Sequence, residues 1–144
     1  MKGKIAVLNG PNINLTGERE TGVYGSVTLD DINRSIAEHA SALGLECVFF
    51  QSNSEGAIID RLHSLRKECD GVIINAGAYT HYSYAIRDAI AAIRLPCIEV
   101  HMSNVAAREE FRRTSVIGSV CAGTIAGFGK NSYILAIDAI KMLI

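Results

Sequence analysis

The chain has 144 residues, 49% hydrophobic and 20% charged, which is the composition of one soluble globular domain with a core of its own. Its charges nearly cancel, to a formal net of -1, so no basic stripe suits a nucleic-acid backbone. No apolar run is long enough to span a bilayer, which excludes a membrane helix.

In chain order, Lys4 to Asn9 (KIAVLN) is a short apolar run broken by Gly10-Pro11, hence a buried strand and a turn. Met1-Lys2-Gly3-Lys4 leads straight into it without a small-residue cleavage site, so no signal peptide is expected. Asn12 to Gly25 reads as a long loop. Thr28, with Asp31 three residues on, is a helix cap, followed by Ile32, Ile36, Ala40 and Leu43 at helical spacing up to Gly44. Leu45 to Gln51 is the second strand. Ser52-Asn53-Ser54-Glu55 opens a helix whose buried face carries Ile58, Ile59, Leu62 and Leu65. Gly71 to Asn75 is the third strand and Ala76 to Thr80 its exit loop. Tyr82 to Ile93 reads as the third helix, stopped by Pro96. A fourth strand follows Pro96. Val105 to Arg113 is a short charged helix or turn, Ser119 to Gly127 the fifth strand, and Asn131 to Leu143 a closing amphipathic helix.

Strands that are apolar on both faces and alternate with helices imply a parallel sheet covered on both sides. The expected fold is therefore a doubly wound, flavodoxin-like α/β sandwich with five parallel strands, filling residues 1–144 as a single catalytic domain. Such sheets bind ligands beyond the carboxyl ends of their strands, where the strand order reverses. Cys47, Cys69, Cys97 and Cys121 form no C-x-x-C pair, and three of them sit in apolar runs. They are expected to act as small hydrophobes in a reduced, cytoplasmic protein, without disulfides or zinc.

The polar residues concentrate at one end. In Pro96-Cys97-Ile98-Glu99-Val100-His101-Met102-Ser103-Asn104, strand alternation lines up Glu99, His101 and Ser103 on one face. Cys97, Ile98, Val100 and Met102 read as core. A glutamate two residues from a histidine can hold the imidazole in one tautomer, ready to give up a proton. A half-solvated edge strand is the plainer alternative. Asn9 and Asn12 end the first strand and Asn75 ends the third, so all these groups should meet in one crevice. The long loop adds Arg19 and Tyr24. An arginine beside a phenol, whose free pKa is about 10, can make a tyrosinate usable as a base near neutral pH. Gly22 and Gly25 flank that tyrosine, as in a hinged lid. His81 and Asp88 are expected on one face of the third helix, two turns apart. Arg108, Arg112 and Arg113 can cradle an anion or a polyol.

Other signals fail. Gly127-Phe128-Gly129-Lys130 lacks the first glycine of a phosphate loop, and Asn131 stands where its serine or threonine belongs. Asparagines replace the aspartates of a phosphoryl acceptor at the ends of strands one and three. No metal-ligand cluster is present.

Taken together, these residues resemble the type II 3-dehydroquinases (3-dehydroquinate dehydratases) of the shikimate pathway. The likeness rests on Asn9 to Gly25, on Phe50-Gln51-Ser52-Asn53-Ser54-Glu55-Gly56, and on Asn75-Ala76-Gly77-Ala78-Tyr79-Thr80-His81 with Arg87-Asp88-Ala89. Glu99 to Asn104 and Arg108 to Arg112 complete it, so it runs from end to end. Ala76 replaces a common proline, Ala106 a frequent histidine, Tyr82 a small residue and Thr16 a leucine.

The resemblance implies a hydro-lyase that converts 3-dehydroquinate to 3-dehydroshikimate by anti elimination of water through an enolate. It implies Tyr24, activated by Arg19, as base, Asn12 holding a water that stabilises the enolate, and His101, oriented by Glu99, as general acid. Asn75, Ser103 and the backbone amides of Met102 and Ser103 would hold the substrate carboxylate, and His81 and Arg112 its ring hydroxyls. Asp88 would come from a neighbouring subunit of a dodecamer built from trimers. No cofactor is implied. The unrelated dehydroquinase class works through a lysine imine, but Lys2, Lys4, Lys67, Lys130 and Lys141 include none at a strand's carboxyl end. A non-catalytic binding module for an anionic metabolite, or another enolising enzyme such as an isomerase, are the alternatives.

Overall fold

The computed structural model describes residues 3–18, 22 and 26–144. Five strands, β1 (Gly3–Asn9), β2 (Leu45–Gln51), β3 (Gly71–Asn75), β4 (Cys97–His101) and β5 (Gly123–Ala126), form one sheet in the order β2-β1-β3-β4-β5. Every pairing is parallel. From β1 the chain moves outward to β2, then returns across β1 to build β3, β4 and β5. The order therefore reverses between β1 and β3, and their carboxyl ends, Asn9 and Asn75, are register partners. The expected doubly wound sandwich is the observed fold.

Among the described residues, four helices cover the sheet: α1 (Leu29–Ala42), α2 (Glu55–Leu65), α3 (Tyr84–Ile93) and α4 (Asn131–Lys141). Alternation along each strand splits the core in two. Ala6, Leu8, Val72, Ile74 and Cys97 pack with Ile58, Leu62 and Leu65 of α2 and Ile86, Ile90 and Ile93 of α3. Ile5, Val7, Ile73, Ile98 and Val100 pack with Ile32, Ile36 and Ala40 of α1 and with Tyr133, Ala136, Ile137 and Ile140 of α4. Both faces are apolar because helices lie on both, as a parallel sheet requires.

The caps follow the sequence closely. Thr28 and Asp31 form a reciprocal capping box, and the Ser54 hydroxyl accepts from Ala57 N. Two boundaries differ from expectation, and one open alternative, helix or turn after β4, is decided. α3 begins at Tyr84 rather than Tyr82, because Ser83 is extended and accepts from Ile86 N through its hydroxyl, a cap that ends the preceding 3-10 turn, Gly77–His81. The charged stretch after β4 is two 3-10 turns, Val105–Ala107 and Glu110–Arg113, separated by an extended Arg108. The fifth strand is shorter than Ser119–Gly127, since its ladder on β4 starts only at the Ile98–Gly123 pair. Ahead of it Gly118–Val120 is a 3-10 turn, so Cys121 lies outside the strand.

β4 is no edge strand. It lies between β3 and β5, and all five residues are buried. Cys97 shares the face of Glu99 and His101, not that of Ile98 and Val100.

Candidate active site

A crevice opens beyond the carboxyl ends of β1, β3 and β4. Its wall on the β1 side is built from Pro11, Asn12, Ile13 and Thr16, on the β3 side from Asn75, Gly77, Ala78 and His81. From β4 onward come His101, Met102 and Ser103, then Val105, Arg108 and Arg112. The two loops at its base touch so closely that side chains are excluded. A Cβ on Gly10 would lie 2.5 Å from the Ala76 carbonyl oxygen, and one on Gly77, at φ 59°, 3.1 Å from that of Pro11. Asn12 itself turns the chain, at φ 69° in the left-handed region that asparagine tolerates better than most residues. Its backbone N–H donates to Asn53 Oδ1 at 3.0 Å.

Deepest in the crevice is an ion-pair geometry. His101 and Glu99 are only 7% and 1% exposed, and His101 Nε2 lies 2.5 Å from Glu99 Oε2. The other carboxylate oxygen, Oε1, accepts from the hydroxyls of Ser115 at 2.9 Å and Thr124 at 3.3 Å. Burial pushes the Glu99 carboxyl up. His101, by hydrogen bond and charge, together with those two hydroxyls, outweighs it and holds the group below the ordinary value. Glu99 is thus an ionised acceptor. It takes Nε2–H and leaves Nδ1 as the ring nitrogen available to a ligand.

His81 stacks on His101, ring centroids 6.4 Å apart and 17° from parallel. Its Nδ1 donates to the Thr114 carbonyl at 2.8 Å, which directs Nε2 away from the backbone. Burial lowers the His81 pKa most, and the neighbouring His101 and Arg112 charges lower it further, against the Thr114 carbonyl. Arg112 packs over the Phe111 ring, 4.6 Å from its centroid, and donates to Glu109 Oε1 at 2.8 Å. Arg108 donates to the Ser103 hydroxyl at 3.3 Å. Two guanidiniums and an imidazole beside amide groups suit a small anionic, hydroxylated ligand.

Asn75 is set by a buried chain of hydrogen bonds. Its Nδ2 donates to the Tyr133 hydroxyl at 2.9 Å, and that hydroxyl donates to Asn9 Oδ1 at 2.5 Å. Asn75 Oδ1 accepts from Gly77 N at 3.2 Å. Asn9 is therefore a support for Asn75 rather than a lining residue. Tyr133, Ser115 and Thr124 were not singled out in the sequence. Tyr133 reads there as one more apolar helix position, and nothing local links residues 115 and 124 to Glu99. The register pairing of β4 and β5 brings Thr124 beside Glu99, and the turn ahead of β5 brings Ser115.

Of the residues singled out in the sequence, Asn12, Asn75, His81, His101, Met102, Ser103 and Arg112 line one crevice, with Glu99 directly behind His101. Arg19 and Tyr24 lie outside the described residues. The expectation that His81 and Asp88 share a helix face is corrected. His81 belongs to the turn before α3, and Asp88 points outward from that helix with its side chain 77% exposed, paired with Arg87 at 3.4 Å. The Gly127–Gly129 loop is no anion cradle, since its Gly127 and Gly129 N–H groups donate to the His101 and Met102 carbonyls. All four cysteines are free, and burial pushes the Cys47 thiol up to about 11. No lysine is among the lining residues. Among the described residues, no cluster of three or more His, Cys, Asp or Glu is placed to hold a metal. No described helix is long and apolar enough to cross a membrane.

A flavodoxin-like sheet with a carboxylate-held imidazole over a cationic crevice at its switch point has the parts of an acid–base enzyme acting on a small anion. The sequence model of the class II dehydroquinases matches residues 3–141, and the chain belongs to that family. It is 56% identical to a 3-dehydroquinate dehydratase of Caldicellulosiruptor bescii over 142 residues, 98% of each chain. The type II dehydroquinase crystal structure from Butyrivibrio crossotus superposes with a TM-score of 0.95 at 48% identity, covering 97% of this chain and 98% of that one. That from Propionibacterium acnes gives 0.94 at 42% identity, covering 99% and 98%.

Proposed function

We propose that this chain is a type II 3-dehydroquinate dehydratase, a hydro-lyase of the shikimate pathway that leads to chorismate and the aromatic amino acids. It acts as a single catalytic domain and needs no cofactor. The observation that carries this reading is the buried Glu99–His101 pair facing the cationic crevice, in a chain of that family.

The reaction removes a proton from the carbon next to the ketone and a hydroxyl from the adjacent carbon. Tyr24, as a phenolate kept usable by Arg19, takes the proton. The electron pair moves onto the carbonyl oxygen, giving an enolate, and Asn12 stabilises that charge through a held water. When the enolate collapses, the carbon–oxygen bond of the adjacent carbon breaks on the opposite face of the ring. His101 protonates the departing hydroxyl, and water leaves. Glu99 keeps the imidazole oriented throughout. Asn75, Ser103 and the amides of Met102 and Ser103 hold the carboxylate, while His81 and Arg112 hold ring hydroxyls. Asp88 reaches a neighbouring subunit's site. Its exposure, next to Tyr82 and Tyr84, which are 59% and 68% exposed, supports a buried subunit contact there. The protein is cytoplasmic and assembles as a dodecamer built from four trimers, a mass that light scattering on the purified protein checks.

The test is turnover of 3-dehydroquinate, followed by ultraviolet absorbance of the conjugated enone product. Wild type should turn over and survive borohydride, which would trap an imine, and Tyr24→Phe should not turn over. An inert wild type sinks the assignment and leaves a binding module. Turnover of a different ketone alone would indicate another enolising enzyme.

A further inference from the structure

Glu99 is gripped from behind by a turn that the reaction described above does not use. The backbone N–H of Gly118 can only donate, and it donates to Ser115 Oγ at 3.0 Å. The single hydroxyl proton of Ser115 is thereby directed to its remaining neighbour, Glu99 Oε1, at 2.9 Å. Thr124, the register partner of Glu99 on β5, brings a second hydroxyl to the same oxygen. The turn is packed hard onto the carboxylate, for a Cβ on Gly118 would lie 3.0 Å from Glu99 Oε1 and 3.3 Å from Ser115 Oγ. Two elements distant in sequence therefore fill Oε1 and reserve Oε2 for His101.

We propose that Ser115 is a positioning residue: its hydroxyl, aligned by Gly118 N–H, locks the Glu99 carboxylate so that His101 bonds it through Nε2–H, leaving Nδ1 to face the substrate and, in the protonated ring, to donate its proton there. The competing role is a local one, in which Ser115 only ties the turn at Gly118. A tie of that kind affects folding, not the imidazole. The kinetic part of the proposal rests on His101 being the general acid, whereas the tautomer part does not.

The test compares wild type, Ser115→Ala and Ser115→Thr. Ser115→Ala should lower kcat about tenfold, less than the loss of roughly 10²-fold or more on removing a general acid, with KM little changed. It should also move the acid limb of the kcat profile to higher pH, because a carboxylate that loses a donor is protonated more easily. Among the described residues, the other titratable groups near Glu99 are His101 and Cys97 on β4 and His81 on the turn after β3. Nitrogen-15 NMR should show the His101 tautomer fixed in wild type and mixed in Ser115→Ala, with Ser115→Thr restoring both kcat and the tautomer. Wild-type kcat, acid limb and tautomer in a Ser115→Ala protein that merely melts earlier would overturn the proposal. If that variant does not fold, Ser115→Cys keeps a side chain of similar size in the turn but offers Oε1 only the weak donor of a thiol. An unmoved acid limb and tautomer there would overturn it equally. Absence of turnover in wild type strikes the assigned reaction instead, and the NMR result then decides the positioning role by itself.

Discussion

The two faces of β4 are equally buried and do opposite things. Ile98 and Val100 point into an apolar layer with Tyr133, Ala136 and Ile137 of α4. Glu99 and His101 point the other way, into hydroxyls, ring nitrogens and the crevice. That second face is itself graded. At its amino end Cys97 sits among Ile90, Ile93 and Ile117. At its carboxyl end the covering helices stop and polar groups take over. An apolar side chain needs only matching volume, so many neighbours would serve. A buried carboxylate needs a donor for each oxygen, and here every donor comes from a different element.

Substitutions on the two faces should therefore separate activity from stability. The largest effect is expected for His101→Ala, a fall in kcat of about 10²–10⁴-fold with KM little changed, measured by steady-state turnover. An equal loss in substrate binding alone would remove His101 from the acid role. Ile98→Ala, one residue before Glu99 but on the apolar face, should cost about 2–5 kcal/mol in urea unfolding while kcat per folded molecule stays near wild type. Tyr133→Phe crosses the comparison, because its ring belongs to the apolar layer and its hydroxyl to Asn9 and Asn75. It should cost about 1–3 kcal/mol and raise KM through a loosened Asn75, and an unchanged KM would mean that Asn75 needs no such support.

The polar face should also give the fold its pH response. His81 and Glu99 both have folded-state pKa values below their ordinary ones, 6.5 and 4.5 respectively. For each, the unfolded chain binds more protons below the ordinary value, so stability rises with pH there. Their stabilisation is present above those values and is lost as pH falls through the lowered ones. Melting temperature should thus decline in two stages on acidification, the upper one absent in His81→Gln. A surface control comes last. Arg34 and Asp31 are paired at 3.2 Å with side chains 67% and 50% exposed, and Arg34→Ala should change stability by less than about 0.5 kcal/mol.

How much of this was legible depends on whether the signal is local. The Thr28–Asp31 cap, the apolar strands and the helical spacing of Ile32, Ile36 and Ala40 are set by neighbours a few residues away, and the sequence shows them directly. α3 starts two residues later than its periodicity suggests, because that periodicity continues back through Ser83 and Tyr82. The side-chain cap of Ser83, backed by its hydrogen bond to Glu55, decides the boundary. β5 is shorter than the sequence suggests, because Ser119, Val120 and Cys121 suit a strand by residue type alone. The chain instead makes a 3-10 turn, Gly118–Val120, whose first N–H is tied to Ser115 Oγ.

Alternation and strand-end asparagines, by themselves, pointed to the parallel sheet, the carboxyl-edge crevice and the shared face of Glu99 and His101, while β4 ends at His101 and leaves Ser103 to the following loop. Those features depend on the period of two and on where polar residues interrupt apolar runs. Tertiary structure alone decided that Tyr133 orients Asn75, that His81 leaves the helix to stack on His101, and that Ser115 and Thr124 complete Glu99. These are contacts across 58, 20, 16 and 25 residues of chain. A hydroxyl carries no mark of the partner it will meet, and only packing of the finished sheet and turns brings the two within hydrogen-bonding distance.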